Sequence, residues 1–126
     1  MARVDLTKHP ITATEYGRWQ PLNGPLGVTA FGINAMVCDP GETFDIRHDE
    51  TESGHQEAYV VVSGRAEFTI DDDTVEAGPG TLIAVPDPAS VRAYRALEPE
   101  TRIVCVGAAP GEAYPYGDWI SEAAQA

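Results

Sequence analysis

The chain is predicted to be all-β, a small barrel or sandwich, on two observations. Short apolar runs with strand-like alternation recur along it, and clusters of glycine, proline and aspartate separate them. The runs are Val28 to Cys38, Thr43 to Arg47, Ala58 to Val62, Ala66 to Ile70, Thr81 to Val85, Val91 to Leu97 and Arg102 to Val106. The separators are Asp39-Pro40-Gly41, Ser63-Gly64, Asp71-Asp72-Asp73, Gly78-Pro79-Gly80, Pro86-Asp87-Pro88 and Glu98-Pro99. These residues tolerate positive φ or fix it near −65°, which is what turns between strands require.

Each run carries its own reason. In Val28 to Cys38, Asn34, Met36 and Cys38 alternate with Phe31, Ile33, Ala35 and Val37, so one of these faces must line the interior, and Asn34 and Met36 are expected in a pocket wall. Tyr59 to Val62 is apolar on both faces, which predicts a central strand covered on both sides. Ser63-Gly64 reads as a tight hairpin into Ala66 to Ile70, and Asp71-Asp72-Asp73 as an acidic hairpin tip. In the run from Val91, that residue and Arg95 share one face while Arg92 and Tyr94 share the other. The first 25 residues, through Trp19 and Asn23-Gly24-Pro25, are expected to wrap the outside irregularly. At the other end Asp118 is placed to cap a short helix from Trp119 towards Ala124. One domain over 1–126 is expected, with a core from about 26 to 108 and a tail from 109 to 126.

Composition narrows the function. A formal charge of −12, with Lys8 the sole lysine, repels phosphate backbones and anionic lipid headgroups, so neither nucleic acid nor a membrane is expected as partner. No apolar run approaches the roughly 20 residues of a membrane span, and the opening Met-Ala-Arg-Val-Asp-Leu has no apolar signal core. A cytoplasmic location follows as the expectation. Cys38 and Cys105, each inside an apolar run, read as buried thiols of a reducing compartment.

Chemistry-bearing residues crowd one stretch: His48, Asp49, Glu50, Glu52, His55 and Glu57 stand just before Tyr59 to Val62. Alternation puts His55, Glu57, Tyr59 and Val61 on one side, so Glu57 enters a largely closed interior. A carboxylate there needs a cation, a strong hydrogen-bond donor or a proton. Glu57 and His55 are therefore the candidate acid–base pair, with Tyr59, Val91, Tyr94 and Arg95 as further pocket residues. If Arg95 points inward, it can pair with Glu57 or bind an anion through its planar fork.

At these residues the chain resembles the cupin superfamily of small β-barrels, the jelly-roll or double-stranded β-helix fold. Its first motif is a glycine, His-any-His, a glutamate and a glycine. Gly41, Glu57 and Gly64 match it, while His48-Asp49-Glu50 stands one residue late and carries glutamate for the second histidine. In the second motif Gly80 and Pro86 match, but Pro88, Val91 and Arg95 replace its glycine, histidine and asparagine. The resemblance implies a compact ligand inside the barrel, a homodimer, and a divalent metal such as iron, manganese, zinc or nickel. Two ligand sets are open for that metal: His48, Glu50 and Glu57, or His48, His55 and Glu57. A metal enzyme, a metal-free acid–base enzyme and a non-catalytic binding or accessory module all remain open.

Overall fold

The computed structural model describes residues 1–14, 17–42, 47–112 and 114. Along these the chain forms β1 (Thr12–Thr14), β2 (Gly17–Pro21), α1 (Asn23–Leu26), β3 (Gly32–Cys38), β4 (Gln56–Ser63), β5 (Ala66–Ile70), β6 (Asp73–Ala77), β7 (Leu82–Val85), β8 (Arg92–Ala96) and β9 (Thr101–Ala108). One sheet has the order β1-β2-β3-β9-β4-β7, the other β6-β5-β8. All pairings are antiparallel. His48 adds one antiparallel bridge to Arg92, on the edge of β8 away from β5.

Register decides which side chains meet. Asn34 and Tyr59 both stand opposite Cys105, and Met36 and Val61 both stand opposite Ile103. These residues share the face turned to the small sheet, because neighbours in register point the same way. The small sheet replies with Ala66, Phe68, Tyr94 and Ala96, and the two faces close over a core that includes Tyr59, Val61, Phe68, Val85 and Ile103. Tyr59, Phe68 and Tyr94 meet with ring centroids 5.3 to 5.7 Å apart, inside the range where tilted aromatic pairs attract.

The N-terminal quarter is more ordered than the sequence suggested. β2 joins the large sheet beside β3, and the turn after it is held by Asn23, whose Nδ2 donates to the carbonyls of Val28 and Phe31 while its Oδ1 accepts from the Ile33 amide. Residues before β1 lie on the outer face, where fully buried Gln20 donates to the carbonyls of Leu6 and His9, and Arg102 to that of Leu6.

Two further expectations need correction. Ser63-Gly64 does not turn a hairpin, since β4 pairs with β7 and β9 while β5 pairs with β6 and β8; it is a corner that carries the chain from one sheet to the other. β4 is central, but its outer face is open, with Val62 46% exposed. Asp71-Asp72-Asp73 does turn a hairpin, and its second arm is β6, a polar strand with little apolar alternation to announce it. The expected strand Thr43 to Arg47 falls largely on residues 43–46, and the C-terminal helix on 115–126; both lie outside the described residues.

Candidate functional site

Glu57 stands on the first turn of pleat in β4, opposite Gly107 of β9, and a Cβ on that glycine would come 3.1 Å from the Glu57 Cγ. The missing side chain leaves the carboxylate room to lie inward. Its side chain is 13% exposed. Oε1 accepts from the Arg92 guanidinium, Nη1 at 2.7 Å, and from the Tyr59 hydroxyl at 2.9 Å, while Oε2 accepts from the Cys105 thiol at 3.3 Å. Burial pushes the Tyr59 phenol and the Cys105 thiol far above their ordinary range, with the Glu57 charge adding to it, so both remain protonated donors.

Arg92 opens β8 with its side chain 1% exposed. Besides Glu57 it donates through Nε to the Ser90 carbonyl and through Nη2 to the carbonyls of Asp87, Pro88 and Ser90. Burial alone would lower the guanidinium pKa, but the bond to Glu57 and that carboxylate's charge outweigh it and the net direction is up. A guanidinium in this position is a fixed positive charge that also ties down the loop before β8.

Two residues converge on this pair from the chain before β4. The His48 amide and carbonyl bond Arg92's backbone, which sets the imidazole beside the cluster. His48 Nε2 lies 3.3 Å from Glu50 Oε1, with the two side chains 45% and 22% exposed. Glu50 Oε2 accepts from Ser53 Oγ at 2.7 Å, its amide bonds the Pro88 carbonyl, and its own carbonyl accepts the Gly54 amide. The bonds to His48 and Ser53 hold the Glu50 carboxyl below its usual range. The long segment between Glu50 and Glu57 is thus a turn that presents Glu50. One ligand atom each of His48, Glu50 and Glu57 lies within 4.8 Å of the others.

The remaining predicted residues are placed as follows. His55 packs its ring against Tyr114, centroids 5.6 Å apart, and does not belong to the converging trio. Tyr94 is buried in the core. Asn34 is half-buried across β9 from Tyr59, and Met36 packs on the core. Val91 is tied to Asp71 through its amide and carbonyl. Arg95 is not inward: its side chain is 59% exposed and its Nε bonds Glu67 on the outside. The partner of Glu57 is Arg92, three positions earlier on the opposite face. Cys105 was read from sequence only as a buried thiol, not as a neighbour of Glu57, and Tyr114 was not singled out. Tyr114 lies over Gly32 so closely that a Cβ there would be 2.5 Å from its hydroxyl.

A first-row divalent ion needs ligand atoms at about 2.0–2.2 Å and free lone pairs aimed at it. His48, Glu50 and Glu57 are near one another, yet three of Glu57's lone pairs are taken and Arg92 already neutralises it. As bonded, the cluster does not fit a metal, and no chemical step is assigned to one.

No family model matches the chain, and no curated protein matches it significantly. Solved structures do. KdgF from Halomonas sp. superposes with a TM-score of 0.70 at 17% identity, over 90% of this chain and 93% of that one. A Cupin 2 conserved barrel domain protein from Salinispora arenicola gives 0.64 at 17% identity, over 99% and 95%. A sugar phosphate isomerase from a cupin superfamily, from Silicibacter pomeroyi, gives 0.65 at 16% identity, over 92% and 83%. At these identities the likeness speaks for the architecture.

Proposed function

We propose that this chain, a cupin by its fold, binds a small polar organic molecule beside Glu57 and offers it acid–base chemistry through His48 and Glu50. One observation carries the reading: a half-exposed imidazole is held by a carboxylate directly beside a buried, neutralised Glu57–Arg92 pair. An imidazole oriented by a carboxylate can take a proton from a bound molecule and return it. The buried pair supplies a rigid polar floor.

Charge narrows the ligand. Asp49, Glu50, Glu52 and Glu57 outnumber the buried cation of the cluster, and Arg92 has its Nε and Nη2 committed to backbone carbonyls. A neutral, hydroxyl-bearing molecule suits this site better than a phosphorylated one, which the surrounding carboxylates repel. That differs from what the name of the Silicibacter protein says of its substrate.

The test is a thermal-shift screen of uncharged polyols and sugars against their phosphates, followed by turnover assays on the hits. Neutral hits converted by the wild type but not by His48→Asn support the reading. Preference for phosphorylated compounds refutes the ligand class. A second reading, binding without turnover, is favoured by the three donors that hold Glu57 in place. Stoichiometric iron, manganese, zinc or nickel in freshly purified protein would favour the metal enzyme that the cupin resemblance implies. A homodimer is proposed as well, because β7 and β6 end their sheets with Leu82 66% and Val75 45% exposed.

A further inference from the structure

We propose that Arg92 is the resident cation of this site and keeps divalent metals off His48, Glu50 and Glu57. The inference deepens the reading above in that it rests on the working site lying at Glu57, but it needs no organic ligand to be tested.

The trio is close to a metal-ready arrangement, its ligand atoms within 4.8 Å of one another. What stands in the way is a charge. A divalent ion bound by Glu57 would sit beside the Arg92 Nη1, itself 2.7 Å from Oε1, and like charges at that separation in a dry site repel strongly. Arg92 cannot swing aside cheaply. Its Nη2 is 2.9 Å from the Ser90 carbonyl, its backbone bonds His48 in both directions, and its side chain is 1% exposed. Were the ion to displace Arg92 from Glu57, a guanidinium would be left buried without its counter-charge. Arg92 therefore does for Glu57 what a bound cation would do, balancing its charge and fixing its orientation, and it does so without an exchangeable ligand.

Removing that charge should open the site. In Arg92→Met, Glu57 keeps its Tyr59 and Cys105 bonds but loses its cation, leaving two carboxylates and an imidazole for an ion to collect. Manganese and nickel chlorides are the probes, read by titration calorimetry and by thermal shift. The wild type should show no saturable binding up to about millimolar metal. Arg92→Met should bind one ion at least tenfold more tightly, Arg92→Lys should behave as the wild type, and adding Glu57→Gln to Arg92→Met should abolish the gain. One-to-one binding by the wild type overturns the proposal even if Arg92→Met does not fold. So does a folded Arg92→Met that gains no affinity, or an Arg92→Lys that binds as tightly as Arg92→Met. Failure of every organic ligand in the screen would strike the functional reading and leave this one standing.

Discussion

Glu57 and Arg92 carry charges that the interior tolerates because each has the other. Removing one partner of such a pair strands the survivor, which typically costs about 3–5 kcal/mol. Glu57→Gln and Arg92→Met should each lower unfolding free energy on that scale in urea denaturation, and the double variant should lose clearly less than the sum. Additive losses would mean that the two side chains do not depend on each other. A second prediction concerns Cys38, whose thiol burial pushes up to about 11 from an ordinary value of 9.0. The folded state holds the proton more tightly than the unfolded state, so stability should fall as pH rises through the window from 9 to 11. Cys38→Ala should flatten that decline, and an unchanged slope would contradict the assignment. Alternation counted back from Tyr59 was enough to turn Glu57 inward. Choosing between Arg92 and Arg95 was not open to the sequence, because they stand on opposite faces of one strand and either face is consistent with the pattern. His48 and Glu50 meet Glu57 because His48 bridges the Arg92 backbone, the Glu50 amide bonds the Pro88 carbonyl and the turn from Glu50 to Gly54 closes on its own hydrogen bonds, and sequence spacing records none of these.

Among the elements, the corner between β4 and β5 shows where a sequence signal was read correctly as a turn and wrongly as to kind. Ser63-Gly64 suits a hairpin and a sheet-to-sheet crossing equally. Gly64 adopts φ +75°, and a Cβ on it would meet the Thr101 side chain and lie 2.7 Å from the Thr101 Cα. Thr101 is itself fixed, its hydroxyl donating to the Glu98 carbonyl and accepting from the Arg65 amide. Gly64→Ala should therefore cost about 3 kcal/mol or more, adding a backbone clash to the left-handed penalty of roughly 1–2 kcal/mol. Gly80→Ala, with φ +87° and nothing within 4 Å of the added carbon, should lose the conformational part alone. Equal losses in denaturant titrations would remove the crowding argument. β6 escaped prediction for a related reason. An edge strand of Asp-Thr-Val-Glu-Ala, exposed over its first four residues, needs no apolar stripe.

On the scale of the whole molecule, the large sheet, the small sheet and their shared core follow from apolar alternation and turn chemistry. The order of strands does not, since the long-range pairing of β3 with β9 and β9 with β4 is set by which faces bury one another. Exposed edges at β6 and β7 lead to the expectation of a pair of chains, so sedimentation should give about twice the 13.5 kDa chain mass, and a mass of one chain would refute it. The account as a whole stands on Glu57 and its neighbours being the floor of a ligand site. The most direct test is to take any small molecule that stabilises the wild type and measure its affinity for His48→Asn and Glu57→Gln, with folding of both checked by circular dichroism. Loss of binding by at least tenfold in each folded variant is predicted. Unaltered affinity in both would place the ligand elsewhere and contradict the central claim.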